Sequence, residues 1–259
     1  MDSRELAQLM LGYSTGPQIQ ETQTAFRCEL VSRWGIKPGM RVLEIGCGQG
    51  ETTVALAHAV GPDGHVTAVD PAPSDYGAPV TVWDSADHLR QGPLGSRIEF
   101  RFEWDGATVD DGPYDCVVLA HCSWYFDSAG QLREQLAAAK GWAATLCFSE
   151  WDLTPRTLAQ VPHHLAVLAQ AQLGIDAGNI RTPLSRARAA ALTEAGWRIV
   201  ADESVDSRGL QDGGWEVDVC RAEESAGRSS FVASQLDVIR SMAESGDVMS
   251  LDSYTVVAV

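Results

Sequence analysis

Arg41-Val42-Leu43-Glu44-Ile45 runs straight into Gly46-Cys47-Gly48-Gln49-Gly50, and this junction constrains the chain more than any other stretch. Val42, Leu43 and Ile45 read as a buried strand. The three glycines alternate along the turn. Beyond them Glu51 opens a helical pattern with Val54, Leu56, Ala57 and Val60 apolar. Strand, glycine turn and helix bring bare backbone against a ligand at a helix N-terminus. Glycine permits the positive φ angles of such a turn and leaves no side chain in the ligand's path.

The ligand follows from the spacing. A dinucleotide fingerprint that starts at Gly46 would have its third glycine at position 51, where this chain has Glu51. A carboxylate there repels a pyrophosphate and does not penalise a cofactor that carries a sulfonium or an amine. Glu44, inside the strand, is expected to add negative charge near the turn. Val42-Leu43-Glu44-Ile45-Gly46-Cys47-Gly48-Gln49-Gly50 resembles motif I of the class I S-adenosylmethionine (SAM)-dependent methyltransferases. The resemblance implies an α/β fold: a Rossmann-like, seven-stranded, mostly parallel sheet with an antiparallel last strand and helices on both faces. It implies SAM as cofactor, S-adenosylhomocysteine as product, and Glu44, Gly46, Cys47, Gly48, Gly50 and Thr52 as cofactor-binding residues.

Composition narrows the partners. A chain of 259 residues suits one large domain. With 19 basic against 35 acidic residues it carries a net charge of −16. That argues against nucleic acid, whose phosphates need concentrated Lys and Arg, and against an anionic membrane surface. The six cysteines form no Cys-x-x-Cys pair and read as small buried hydrophobes of a reducing compartment, with no metal site. No apolar signal core opens the chain and no uncharged apolar run reaches membrane-spanning length, so a cytoplasmic protein is expected, as monomer or homodimer.

The rest of the chain supplies the other elements in order. Leu6, Leu9 and Met10 share a helical face over residues 3–11, and Phe26, Leu30 and Trp34 mark a second helix ending near Trp34. In small-molecule members of the family such N-terminal helices close over the cofactor. Tyr13, in the turn between them, is then positioned for the cofactor carboxylate; on the residues alone it is an ordinary turn tyrosine. Residues 65–70 read as strand 2. It ends in Asp70, positioned to accept hydrogen bonds from both ribose hydroxyls. Pro71 follows where family members place residues under the adenosine. Ile98, Phe100 and Phe102 alternate with charges as strand 3, and the resemblance gives Trp104 and Asp105, just beyond it, the adenine pocket. Residues 116–120 form a continuous apolar run, a fully buried parallel strand. It delivers Ala120 and His121 to its C-terminal lip beside the cofactor. Strands 5, 6 and 7 are expected over 143–148, 197–201 and 254–259. A helix over 162–173 stopped by Gly174, one over 185–195 with Ser185 as N-cap, and one through Phe231, Ile239 and Met242 complete the pattern. The single domain 1–259 then carries a substrate cap built from residues 1–36 and insertions at about 153–183 and 207–249.

Methyl transfer from a sulfonium expels a neutral thioether, so alignment matters more than acid catalysis. A base is needed only where the nucleophile must lose a proton. His121 has the titration range and the strand-end position for that role; the alternative is a histidine hydrogen-bonded in the pocket without proton transfer. Trp124, Tyr125 and Trp151 are candidate walls for an apolar or aromatic acceptor, although core packing explains aromatics as well. Strand 4 is not followed by Asn-Pro-Pro-Tyr and no Asp/Asn cluster suggests a divalent metal. A small-molecule acceptor with an O or N nucleophile remains, secondary metabolites included. Two other readings stay open: a SAM-fold protein that binds without transferring (a scaffold or a SAM-dependent cyclase), and a protein methyltransferase.

Overall fold

The computed structural model describes residues 1–107, 109, 112–173, 180–186, 191–224 and 228–259. Seven strands form one sheet: β1 Arg41–Ile45, β2 His65–Val69, β3 Ile98–Arg101, β4 Tyr114–Ala120, β5 Ala143–Trp151, β6 Ile199–Val205 and β7 Ser253–Ala258. In space their order is β3-β2-β1-β4-β5-β7-β6. Neighbours pair in parallel except at β7, which runs antiparallel to β5 and β6. The expected seven-stranded, Rossmann-like architecture is present. Chain progression reverses between β1 and β4, and ligands of such sheets bind in the crevice beyond the carboxyl ends of those strands. Gly46 and His121 follow those two ends directly.

Alternation along the strands builds two cores. On one face Val42, Cys116 and Val118 pack with Leu30 of α2 (Pro17–Arg33), Val54 and Leu56 of α3 (Glu51–Val60) and Leu89 of α4 (Val82–Gln91). On the other, Leu43, Ile45, Val117 and Leu119 pack with Leu132 and Leu136 of α5 (Ala129–Ala139) and Leu192 of α7 (Ala191–Glu194). Both sides of each central strand are covered, which is why 116–120 reads as an unbroken apolar run. A third, smaller core joins Ala166 and Ala169 of α6 (Val161–Leu173), Val217 and Cys220 of α8 (Asp212–Ala222), and Leu236 and Ile239 of α9 (Ser230–Ser245).

The structure departs from the sequence reading at several ends. The first helix, α1, stops at Ala7, and Leu11–Ser14 is a short 3-10 turn. β5 continues to Trp151 because β7 pairs with it through Ser253. β6 starts at Ile199 and runs on to Val205; as an edge strand paired only with β7 it carries exposed Asp202 and Glu203, which hide it from an apolar pattern. Helix α8 was not anticipated, since Gly213 and Gly214 in its first turn disguise the start. Gly174, and residues 187–190 of the helix expected from Ser185, lie outside the described residues. The described cysteines are all free thiols and five of the six are buried. Among the described residues no helix is long and apolar enough to cross a membrane.

Candidate active site

All three motif glycines adopt left-handed backbone, with φ of 77° at Gly46, 51° at Gly48 and 88° at Gly50. Their surroundings differ. A Cβ on Gly46 would lie 2.6 Å from Cβ of Cys122, and one on Gly50 would lie 2.8 Å from Leu89. At Gly48 nothing stands within 4 Å. Two of the glycines therefore fit the turn into the protein, and the middle one faces open space over the crevice. The N–H groups of Gly46 and Cys47 donate to the carbonyl of Val69, tying the turn to β2.

Asp70, at the end of β2, closes this cradle. Its Oδ2 accepts the Gly48 N–H at 2.8 Å, and its Oδ1 accepts the Ala72 N–H at 2.9 Å. Each carboxylate oxygen keeps a lone pair for a further donor. The backbone N–H of Trp104 donates to the Asp70 carbonyl, which brings Trp104 beside the acid. Pro71 and Asp105 are exposed next to it, and Asp105 caps the N–H of Ala107. Cys47 and Thr52 are buried in the turn and the first turn of α3. Tyr13 is a different case: its hydroxyl donates to Glu21 on α2 at 3.2 Å.

Glu44 is buried and accepts a hydrogen bond from Thr53 Oγ1 at 2.6 Å. Burial pushes its pKa up to about 8, against the opposing pull of that hydrogen bond and of Arg27. Burial thus favours the protonated form of Glu44 and works against the negative charge expected of it near the turn. Burial likewise raises Glu51, with Arg27 opposing.

Arg27 is the residue that the sequence reading missed. It lies on α2, and four polar residues of that helix, Gln20, Gln23, Thr24 and Arg27, are all buried. Their spacing is that of one helical face. This polar stripe was legible as a signal, but the apolar stripe of Phe26, Leu30 and Trp34 drew the reading instead. Arg27 reaches Nδ1 of His121 at 2.5 Å. Its own Nε has no hydrogen-bond partner among the described residues.

His121 sits beyond β4 with φ of 51°, which is rare outside glycine. Its N–H continues the pairing to the Ser149 carbonyl at 2.8 Å. The ring lies 4.6 Å from that of Trp151 and 5.5 Å from that of Phe26. A guanidinium can only donate, so Nδ1 accepts from Arg27 and the ring proton is on Nε2. From there a polarised chain runs through Ser253 and Ser207 to the Leu251 carbonyl. Burial and the Arg27 charge hold His121 well below its usual pKa, so the ring is neutral.

The three aromatic candidates separate clearly. Trp124 is 1% exposed and donates its indole N–H to the Leu184 carbonyl, so it belongs to the core. Trp151 is also buried, between His121 and His163. Tyr125 exposes 44% of its surface. Burial is nonetheless the first cause of its raised pKa, followed by Glu216, Glu150 and Asp212. Glu150 is a further missed acid: it accepts from the Ser123 N–H and hydroxyl, and burial pushes its pKa up to about 7. Among the described residues no three His, Cys, Asp or Glu are grouped to hold a metal ion.

A methyltransferase-domain family model matches residues 19–201. A cyclopropane-fatty-acyl-phospholipid synthase-like protein of Lactobacillus casei is 32% identical and superposes with a TM-score of 0.87, over 98% of this chain and 97% of that one. The chain belongs to the class I SAM-dependent methyltransferase family. The methyltransferase phomM of Diaporthe leptostromiformis is 35% identical over 124 residues. The match covers 39% of this chain and 32% of that relative, about a third of its length. The magnesium protoporphyrin IX methyltransferase of Synechocystis, solved with bound S-adenosylhomocysteine, shares the fold at 16% identity and a TM-score of 0.54, over 93% of this chain and 84% of that one.

Proposed function

We propose that this chain transfers the methyl group of SAM to a small-molecule acceptor through an O or N nucleophile. The observation that carries the reading is the open space above Gly48, closed on one side by an Asp70 carboxylate that two backbone N–H groups hold still. That arrangement suits a ribose diol. Trp104 edges the adenine beside it, and Arg27, whose buried Nε wants an acceptor, binds the methionyl carboxylate. SAM supplies the electrophilic methyl; the chain's own residues bind, orient and exclude water. His121 acts as a neutral strut that fixes Arg27, in place of the free base expected from its position. The helices α1, α2, α6, α8 and α9 serve as the substrate cap.

Titration calorimetry with S-adenosylhomocysteine tests the cofactor site. Asp70→Ala is expected to weaken binding at least ~10-fold, a change of about 1.4 kcal/mol; unchanged affinity would remove Asp70 from the site. Transfer from methyl-labelled SAM to a small-molecule panel tests the reaction. Label in macromolecules instead would favour the protein methyltransferase, and binding without label would favour the module that no longer transfers.

A further inference from the structure

Two carboxylates and two unpaired amide oxygens are gathered where α2, α6 and α8 meet. Asp212 and Glu216 stand one turn apart on α8, in the cap. Gln23 of α2 donates its Nε2 to Asp212 Oδ2 at 2.7 Å, and Gln170 of α6 donates its Nε2 to Glu216. Each amide is thereby oriented, which leaves its oxygen as the free end. Both oxygens are buried and have no donor among the described residues, in side chains only 2% and 1% exposed. The partners of the two carboxylates among the described residues are these amides and not cations. Tyr125 has an exposed ring, and the pKa of its hydroxyl is raised by burial first and then by the nearby charges of Glu216, Glu150 and Asp212.

We propose that Asp212, Glu216, Gln23, Gln170 and the ring of Tyr125 recognise a positively charged nitrogen on the methyl acceptor, which makes the acceptor class an amine-bearing small molecule. The identity of the ligand as the acceptor rests on the methyltransferase reading above. An ammonium brings the donors that two carboxylates and two orphan amide oxygens lack. An aromatic face beside them attracts the same cation. A neutral alcohol supplies one donor and no charge, so it leaves most of these groups unpaired. Burial of Glu216 without a cation pushes its pKa up to about 7, with Gln170 opposing and Asp212 adding to the rise. A cation brought by a ligand would oppose that rise. Gln23 lies one helical turn from Arg27 on α2, and Glu216 one turn from Asp212 on α8.

The test uses 2-phenylethylamine and its neutral isostere 2-phenylethanol, titrated by calorimetry into the full chain with and without saturating S-adenosylhomocysteine. The amine is expected to bind at least ~10-fold tighter than the alcohol. Asp212→Asn with Glu216→Gln should erase that preference and leave the affinity for S-adenosylhomocysteine unchanged. Glu216→Gln alone should reduce the preference part way, which guards against a double variant that fails to fold. Equal binding of the two probes, binding of neither, a preference that survives in the double variant, or a parallel loss of S-adenosylhomocysteine binding would each overturn the proposal. Amine preference in a chain that does not bind S-adenosylhomocysteine would keep the cation site and remove the methyltransferase reading instead.

Discussion

Gly46 and Gly48 share a left-handed backbone and differ in what surrounds them, so alanine at each should fail differently. Gly46→Ala drives a methyl into Cys122 and is expected to destabilise the fold by about 3 kcal/mol or more. Gly48→Ala meets no neighbour and should cost only the backbone strain, about 1–2 kcal/mol. Its larger effect should be on S-adenosylhomocysteine affinity, because the methyl enters the open space. Urea unfolding and calorimetry on both variants check the contrast. At His121 the hydrogen-bond chain makes a second prediction. His121→Ala leaves the buried Arg27 guanidinium without its acceptor and should destabilise by about 2–4 kcal/mol. His121→Asn tolerates the left-handed backbone, offers an amide oxygen and should recover part of that loss. If the ring serves as a strut, the acid limb of the pH–rate profile survives in His121→Asn; its disappearance would restore the base.

At the level of elements, legibility tracked burial. The strands β1 and β4, covered on both faces, appeared in the sequence as unbroken apolar runs, and the glycine turn after β1 announced its own conformation. β6 lies at the sheet edge with exposed acids, and α8 begins on two glycines, so neither carried a pattern. The missing helix mattered, because it holds Asp212 and Glu216. Its packing with α6 and α9 is a small core of its own, centred on Leu236 and Ile239. Leu236→Ala is therefore expected to loosen these three helices by about 2–4 kcal/mol. Hydrogen exchange should rise in α6, α8 and α9 while the sheet stays protected, and S-adenosylhomocysteine binding should hold. Equal loss of protection in β1 and β4 would mean that cap and sheet unfold as one unit.

Across the whole molecule the buried acids set a pH dependence. The pKa of Glu44 is about 8 in the folded chain against an ordinary 4.5, so between those values the folded state binds the extra proton. Stability then falls as pH rises through that window. Glu44→Gln keeps an acceptor for Thr53 and removes the titration. Its advantage over the unaltered chain should be small at pH 5, grow with pH and level off above pH 8, reaching on the order of 5 kcal/mol. Denaturant midpoints across that range check it; a constant difference would show that Glu44 is ionised in the folded state.

The sequence by itself determined the strand–glycine–helix unit, the acid ending β2, the parallel strands and the family, because these rest on local backbone geometry and on periodicities that a short stretch carries alone. Only the tertiary structure decided what the polar groups do. Burial favours the protonated form of Glu44, and a helix from the N-terminus brings Arg27 to the ring of His121. Three helices far apart in the chain, α2, α6 and α8, then set Asp212, Glu216, Gln170 and Gln23 against one another. Desolvation and hydrogen-bond partnership belong to the assembled fold, and no spacing along the chain encodes them.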